Sequence, residues 1–393
     1  MVKRNANMTR LNPTYLFPEI NARKQQFLGK NPQAQLISLG IGDTTEPLPP
    51  VIAKALAATA EGLATREGYT GYSPEQGILP LREKIASRLY HNQIQPDEIF
   101  ISDGAKCDLG RLQTLFGSDV TIAVQDPTYP VYVDGSLIRG VKRIIPMPCT
   151  PENDFFPDLT IVPAADLIYF CSPNNPTGAV ANRKQLEQLV QFAKAHRSIL
   201  IFDSAYAPYI QDPKIPKSIY EIDGAREVAI EISSFSKMAG FTGVRLGWTV
   251  VPEQLKFENG ESVKADWRRV TSTIFNGASN IAQRGGCAIL EEPGWSEVQE
   301  MAKFYLENTS LLQEALRAKG VQVFGGVNAP YLWIRFPGKK SWDIFQDLME
   351  NLHIITTPGS GFGSSGEGFV RLSAFGHREN ILEAVRRISI AKM

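Results

Sequence analysis

The sequence predicts an α/β chain: a mainly parallel central sheet with helices on both faces, joined to a smaller α+β domain. Three observations carry that prediction. Short β-rich runs alternate with helical patterns from about residue 80 to residue 250, and each run stops at Gly, Pro, Asp or Ser. After Gly320 the pattern simplifies to strand, helix, strand, helix. Third, these 393 residues are enough for one large domain and a smaller partner.

The predicted strands are EIFIS, VTIAVQD, RIIPMPC, DLIYFCS, SILIFDS, VAIEISS and LGWTVVP. Between several of them lie helical patterns, such as RKQLEQLVQFAKAHR, whose apolar residues Leu186, Leu189, Val190 and Ala193 share one face. This alternation argues for parallel strands covered by helices. The stretch from Gly294 to Gly320 reads as one long helix, after which YLWIRF, SWDIFQDLMENL, GFVRLSA and RENILEAVRRISI build the second unit. The N-terminal segment has no core of its own and is expected to pack against that unit. The expected division is 1–60 as an N-terminal arm and part of the small domain, 61–295 as the large domain, and 296–393 as the C-terminal small domain. The glycine-rich TPGSGFGSSGEG is expected to be a mobile loop, because no helix start follows it to make a phosphate cradle.

Composition excludes several function classes. Lys+Arg and Asp+Glu are equal at 41 each, so no electrostatic bias toward nucleic acid or anionic membranes exists. No apolar run nears the ~20 residues that span a bilayer, and the opening residues contain no apolar core of a secretory signal. Cys107, Cys149, Cys171 and Cys287 are widely spaced without a CxxC pair, as expected of thiols in a reducing, cytoplasmic setting. The four histidines do not cluster, so no metal site is expected.

The chemistry sits at the strand ends. In open parallel sheets, ligands bind beyond the carboxyl edge. Lys237 follows the apolar run EVAIEIS, where an unpartnered ammonium would be costly to bury. A lysine that loses its proton, or bonds covalently to an aldehyde, avoids that cost. Arg245 could supply the cation for a phosphate, and Ser234 a hydroxyl. Asp203 closes the apolar strand ILIFD, so its carboxylate is either paired or kept for function. Tyr206 follows it. Asn174 and Asn175 lie in the turn SPNNPTG, and Tyr129 stands at another strand end, where a ring could stack on a planar ligand. Gly104 marks a strand-to-helix passage whose free N–H groups suit an anion. Singly, each signal is weak: SxxK is common and NPTG is an ordinary turn. Their joint occurrence in this order is specific.

SPNNPTG, DSAY, SSFSK...GVRLG and VRLSAF resemble, in order, the signature segments of the fold-type-I pyridoxal-phosphate-dependent aminotransferases, and the likeness covers nearly the whole chain. The resemblance implies that Lys237 forms the imine with pyridoxal 5'-phosphate and moves the substrate's α-proton. It implies Asp203 on the pyridine nitrogen, Asn175 and Tyr206 on the phenolic oxygen, and Tyr129 stacked on the ring. Gly104, Ala105, Lys106, Ser234 and Arg245 would hold the phosphate. Arg371 would pair with the substrate carboxylate, helped by Asn175 and the backbone at Gly42. These roles suit the chemistry, since removing an α-proton needs a base, an electron sink with an anion behind it, and a guanidinium to orient the carboxylate.

A wider set of segments, SLGIGDTTEPLP, GYTGYSPEQG, SDGAKCDLGRLQ, DPTYPVYVD and FSKMAGFTGVRLGW, looks like the family's LL-diaminopimelate branch. That likeness implies a homodimer with shared active sites: Tyr72 of a second subunit at the phosphate, and Glu75 and Asn276 of that subunit at the distal end of the substrate, with Tyr15 and Lys106 nearby. The distal ammonium of diaminopimelate suits a carboxylate, whereas glutamate needs a donor there. Arg268 and Arg269 are expected to be solvated helix charges. Other amino acids (aspartate, alanine, aromatic) and a β-lyase reaction remain open alternatives.

Overall fold

The computed structural model describes residues 1–12 and 16–391. A short strand β1 (Ile37–Ser38) precedes the strands of the large sheet: β2 (Ile99–Ser102), β3 (Thr121–Asp126), β4 (Arg143–Pro148), β5 (Leu167–Cys171), β6 (Ile199–Asp203), β7 (Ala229–Ser234) and β8 (Gly247–Val250). These seven line up in the order β2-β8-β7-β6-β5-β3-β4. All neighbours are parallel except β8, which runs antiparallel to both β2 and β7. Strands β5 and β7 are buried at every position; β5 accordingly reads as an unbroken apolar run, while β7 carries the buried Glu231 between Ile230 and Ile232. The register sets Cys171 beside Asp203, Asp203 beside Ile232, and Ser234 beside Gly247. The ends of β2, β3, β5, β6 and β7 and the start of β8 therefore share one edge of the sheet.

Helices α1 (Leu16–Lys30), α2 (Pro50–Gly62) and α3 (Leu79–Tyr90) precede the sheet, and α4 (Ala105–Phe116), α5 (Val131–Ile138), α6 (Arg183–His196) and the single turn α7 (Phe235–Met238) connect its strands. The face predicted for α6 is buried at Leu186, Leu189, Val190 and Ala193, and Asn182 caps its start by accepting from the Gln185 amide. Apolar residues pack on both sheet faces, one cluster around Phe170, Phe202 and Trp248, the other around Ile201, Ile230 and Trp267. Helices α8 (Val263–Ile274), α9 (Asn280–Ile289) and α10 (Gly294–Ala318) follow the sheet. No helix among the described residues is long and apolar enough to cross a membrane.

Strands β9 (Gln322–Gly325), β10 (Tyr331–Arg335), β11 (Ile354–Ile355), β12 (Thr357–Pro358) and β13 (Phe369–Ser373) complete the chain with helices α11 (Ser341–Leu352) and α12 (Arg378–Ile390). Four of them form an antiparallel sheet in the order β12-β13-β10-β9. Strand β11 pairs in parallel with β1. Part of the N-terminal segment packs here, where Leu16 and Ile20 of α1 join Trp333, Phe345 and Phe369 in one cluster, whereas Asn5, Asn7 and Arg10 donate to the Ile138 and Val141 carbonyls beside α5.

The glycine-rich segment corrects the expectation of a mobile loop. It folds into two 3-10 turns, Gly359–Phe362 and Ser364–Gly366. Gly363, at φ +136°, lies where a Cβ would meet Asp126 Oδ1 at 2.0 Å, so only glycine admits the closure. Ser364 Oγ donates to Asp126 Oδ2 at 2.7 Å, and the Ser365 amide donates to the same carboxylate. The segment is thus latched to the end of β3.

Trp333 is fully buried, and its ring stacks on Phe369 at 5.1 Å. Trp333→Ala should cost about 3–5 kcal/mol, read from denaturant unfolding followed by circular dichroism. A loss below about 1 kcal/mol would contradict this packing account.

Candidate active site

At the shared strand edge, a cavity of about 460 Å³ opens between the two sheets. Its walls include Gly42, Ala105, Lys106, Tyr129, Asn175, Asp203, Tyr206, Ser234, Lys237, Arg245 and Arg371, each singled out in the sequence. Four cations (Lys106, Lys237, Arg245, Arg371) face two carboxylates (Asp43, Asp203) there. That balance suits a ligand with more than one anionic group.

Lys237 projects from α7, directly after β7. Its Nζ donates to the Gly42 carbonyl oxygen, and its own carbonyl accepts from Tyr209 Oη at 2.9 Å. Burial lowers the Lys237 pKa to about 8, and the positive charges of Arg371, Arg245 and Lys106 push the same way, while Asp43 opposes them. The amine is thereby partly unprotonated near neutral pH, as a nucleophile or base requires.

Asp203 is buried at the end of β6. Oδ2 accepts from Tyr132 Oη at 2.7 Å and Oδ1 from the Ala205 amide at 3.0 Å. No Lys, Arg or His among the described residues forms an ion pair with it. Burial raises its pKa, against the pull of those two hydrogen bonds. A cationic ligand group would supply what the protein omits.

The region around Gly104 is shaped for an anion. Gly104, at φ +123°, precedes α4, and a Cβ there would meet Arg245 Nη2 at 2.3 Å. The Ala105 and Lys106 amides at the start of α4 have no acceptor within the helix, whereas those of Cys107 and Asp108 donate to the Gly104 carbonyl. Arg245 holds the left-handed backbone at φ +69°, strain of the kind retained at functional sites. Its guanidinium donates to Ser236 Oγ at 3.2 Å, and Ser236 accepts from Ser234 Oγ at 2.9 Å.

Arg371, on β13, is 1% exposed. Nη1 donates to Asn175 Oδ1 at 2.6 Å and Nη2 to the Gly40 carbonyl at 2.6 Å, while Nε lacks a partner. The rings of Tyr331 and Phe362 lie 4.4 and 5.0 Å from the guanidinium carbon. None of the ion pairs among the described residues gives it a carboxylate. The Gly40 carbonyl meets Arg371 because β1 pairs with β11 and the Ser373 amide donates to the Leu39 carbonyl at 2.6 Å, while Gly42 lines the cavity beside it.

Tyr206 Oη and Tyr331 Oη share a hydrogen bond of 2.7 Å, and Tyr129 meets Tyr132 edge-on at 5.9 Å. Tyr132, Tyr331, Ser236 and Asp43 went unrecognised in the sequence. Tyr132 stood within DPTYPVYVD, three residues after Tyr129, where one helical turn would aim both inward. Tyr331 read as an ordinary strand residue. Asn174 turns away from the cavity and holds the turn, donating to Thr177 Oγ1 at 3.0 Å. Tyr72, Glu75 and Asn276 are exposed and absent from the walls of this chain's cavity, and Tyr15 lies outside the described residues. Arg268 and Arg269 are exposed on α8, as expected of solvated charges. Among the described residues, no group of His, Cys, Asp and Glu is arranged to hold a metal.

With carbonyl ligands removed, labelling of Lys237 by an amine reagent should rise through a midpoint at about pH 8. Arg245→Gln removes a nearby positive charge and should move that midpoint upward. A midpoint at the ordinary lysine value of 10.5 would contradict the burial argument.

The family model for aminotransferase class I and II matches residues 34–388. An LL-diaminopimelate aminotransferase of Protochlamydia amoebophila is 56% identical, the match covering 100% of this chain and 98% of the relative. The chloroplastic LL-diaminopimelate aminotransferase of Arabidopsis thaliana is 56% identical over 98% of this chain and 86% of its own length. The solved L,L-diaminopimelate aminotransferase from Chlamydomonas reinhardtii superposes with a TM-score of 0.95 at 58% identity, covering 98% of each chain. With this fold, and with a lysine, an aspartate and an arginine meeting in one cavity at the sheet edge, the chain belongs to the class I and II aminotransferases.

Proposed function

We propose that this aminotransferase passes an amino group between LL-2,6-diaminopimelate with 2-oxoglutarate and tetrahydrodipicolinate with glutamate, using pyridoxal 5'-phosphate and one substrate at a time. The observation that carries the transaminase part is the buried guanidinium of Arg371, which has neutral oxygens and ring faces around it but no carboxylate. An α-carboxylate complements it bidentately. Support for diaminopimelate comes from full-length relatives of that name at 56–58% identity.

The cavity's groups fit the cofactor. The phosphate suits the cup of Gly104, Ala105, Lys106, Ser234, Ser236 and Arg245, which a single Cβ at Gly104 would fill. The protonated ring nitrogen suits Asp203, whose carboxylate lacks a cation. Asn175 and Tyr206 suit the phenolic oxygen, Tyr129 the ring face, and Lys237 the carbonyl carbon. When bound, pyridoxal phosphate supplies an electron sink for the pair left at the substrate Cα. Arg371 binds the α-carboxylate and fixes which Cα bond faces the ring. Lys237 Nζ would take the proton from the substrate Cα, a role for which only the unprotonated amine is competent. The aromatic and apolar walls limit water. Asp203 would hold the ring nitrogen through its carboxylate, which Tyr132 and the Ala205 amide orient.

The reading extends to a homodimer with shared sites, in which Tyr72 of a second copy faces the phosphate, and Glu75 and Asn276, with Tyr15 and Lys106, face the substrate's distal end. Tyr72, 87% exposed on its own chain, and the nearby exposed Ile274 support an interface there. The large domain would span 61–295 and the small domain 296–393 with part of 1–60, in keeping with a seven-stranded sheet over 99–250 and a four-stranded one over 322–373. Four free cysteines support a reducing, cytoplasmic setting.

Lys237→Ala should keep the cofactor through the remaining contacts yet lose at least about a thousandfold in turnover; undiminished transamination would overturn the reading. Glu75→Gln should lower kcat/KM for diaminopimelate by about tenfold or more, with little change for glutamate. Equal losses for both substrates would remove Glu75 from recognition of the distal ammonium.

A further inference from the structure

We propose that Tyr132 is the positioning residue for Asp203: its hydroxyl fixes the carboxylate and keeps it an ionised acceptor for a cationic ring nitrogen in the cavity. The proposal rests on the reading that this cavity holds pyridoxal phosphate. It concerns a tyrosine that contributes through its bond to another side chain.

The phenol hydroxyl is aimed at Asp203, with the Cys171 thiol as its other side-chain neighbour. Tyr132 is 1% exposed, on the first turn of α5, and its Oη reaches Asp203 Oδ2 at 2.7 Å, a length typical of a hydrogen bond to a charged acceptor. The ring is clamped, stacked on Tyr169 at 5.3 Å and 18° and set edge-on to Tyr129 at 5.9 Å and 89°. Its carbonyl accepts from Ser136 Oγ at 2.7 Å, which fixes the backbone. The other carboxylate oxygen has the Ala205 amide. Each oxygen of Asp203 thus has one donor from the protein, and neither has a cation.

Two hydrogen bonds under-compensate a buried carboxylate. The cations Lys106, Lys237, Arg245 and Arg371 line the same cavity without forming an ion pair with Asp203, and the other titratable groups facing it are Tyr129, beside Tyr132, and Cys171, its register partner on β5. Burial pushes both of their pKa values up, so each stays neutral near pH 7 and neither contributes charge. The ionisation of Asp203 therefore depends on the Ala205 amide, which no side-chain substitution removes, and on Tyr132. Burial alone raises the Asp203 pKa, and these donors pull it down. Without the phenol, the carboxyl protonates at higher pH and loses its attraction for a ring N–H⁺.

Tyr132→Phe keeps the ring and its stacking and deletes only the donor. The test loads the full-length chain with pyridoxal 5'-phosphate and measures retention by equilibrium dialysis from pH 8.5 to pH 6. The parent should hold the cofactor across this range. The Phe variant should bind about tenfold more weakly at the acid end, with the onset of loss about one pH unit higher and the gap closing toward pH 8.5. Tyr132→His, which returns a donor, should recover most of the affinity. Thermal unfolding without cofactor checks the fold; if the Phe variant does not accumulate, the His variant and parent carry the comparison, with parent-like retention expected.

Two results would overturn the proposal while leaving the cofactor reading intact: an unchanged pH profile in the Phe variant, or a loss by the same factor at every pH in either variant. Failure of the parent itself to retain pyridoxal phosphate would overturn the cofactor reading, and this proposal with it.

Discussion

Arg371 is a guanidinium sealed from water with only neutral oxygens around it, and the architecture converges on that fact. It stands on β13 of the small sheet, its Nη1 bonded to Asn175 from the loop after β5 of the large sheet and its Nη2 to Gly40 from the N-terminal segment. Three distant stretches of chain thus meet on one charge. Breaking its neutral contacts would leave a bare buried cation, which is among the costliest states a protein interior can hold. Keeping them leaves the charge short of an anion, and a substrate carboxylate fills that need.

The other charged groups of the cavity follow the same logic with opposite signs. Burial drives the Lys237 amine toward its neutral form and the Asp203 carboxyl toward its neutral form as well. A neutral lysine is what the chemistry wants, whereas a neutral aspartate is not. The protein separates the two cases by donors. Asp203 receives two hydrogen bonds, from Tyr132 and Ala205; Lys237 Nζ donates to the Gly42 carbonyl and stands among the positive charges of Arg371, Arg245 and Lys106. Ligand binding then works with this arrangement, since the cavity's cations and carboxylates await groups of opposite sign.

Much of this was legible in the sequence, for physical reasons that can be named. The inner strands of the large sheet are buried on both faces, so their runs are mostly apolar and their ends stand out. Asp203 was conspicuous because it closes such a run, and Lys237, Asn175 and Tyr129 because each follows one within a few residues. What escaped depends on pairing between remote segments. Tyr331 lies within an apolar strand, and only the fold brings its hydroxyl to Tyr206. Gly40 reaches Arg371 because β1 pairs with β11, a two-residue strand too short to show periodicity. The glycine-rich stretch was misread because its composition suggests freedom, while its glycines are there to let backbone approach Asp126 and Gly366 closely. Tyr72, Glu75 and Asn276 are surface residues of their own chain, so nothing in one chain's packing could mark them out.

The measurement that bears most directly on this account is a half-reaction with single amino donors. The purified holoenzyme is mixed separately with LL-diaminopimelate, meso-diaminopimelate, glutamate, aspartate, alanine and tyrosine, and the visible absorbance of the bound cofactor is followed. Discharge of that absorbance by LL-diaminopimelate and glutamate, with aspartate, alanine and tyrosine inert, is the predicted result. Discharge by aspartate, alanine or tyrosine while LL-diaminopimelate stays inert would contradict it.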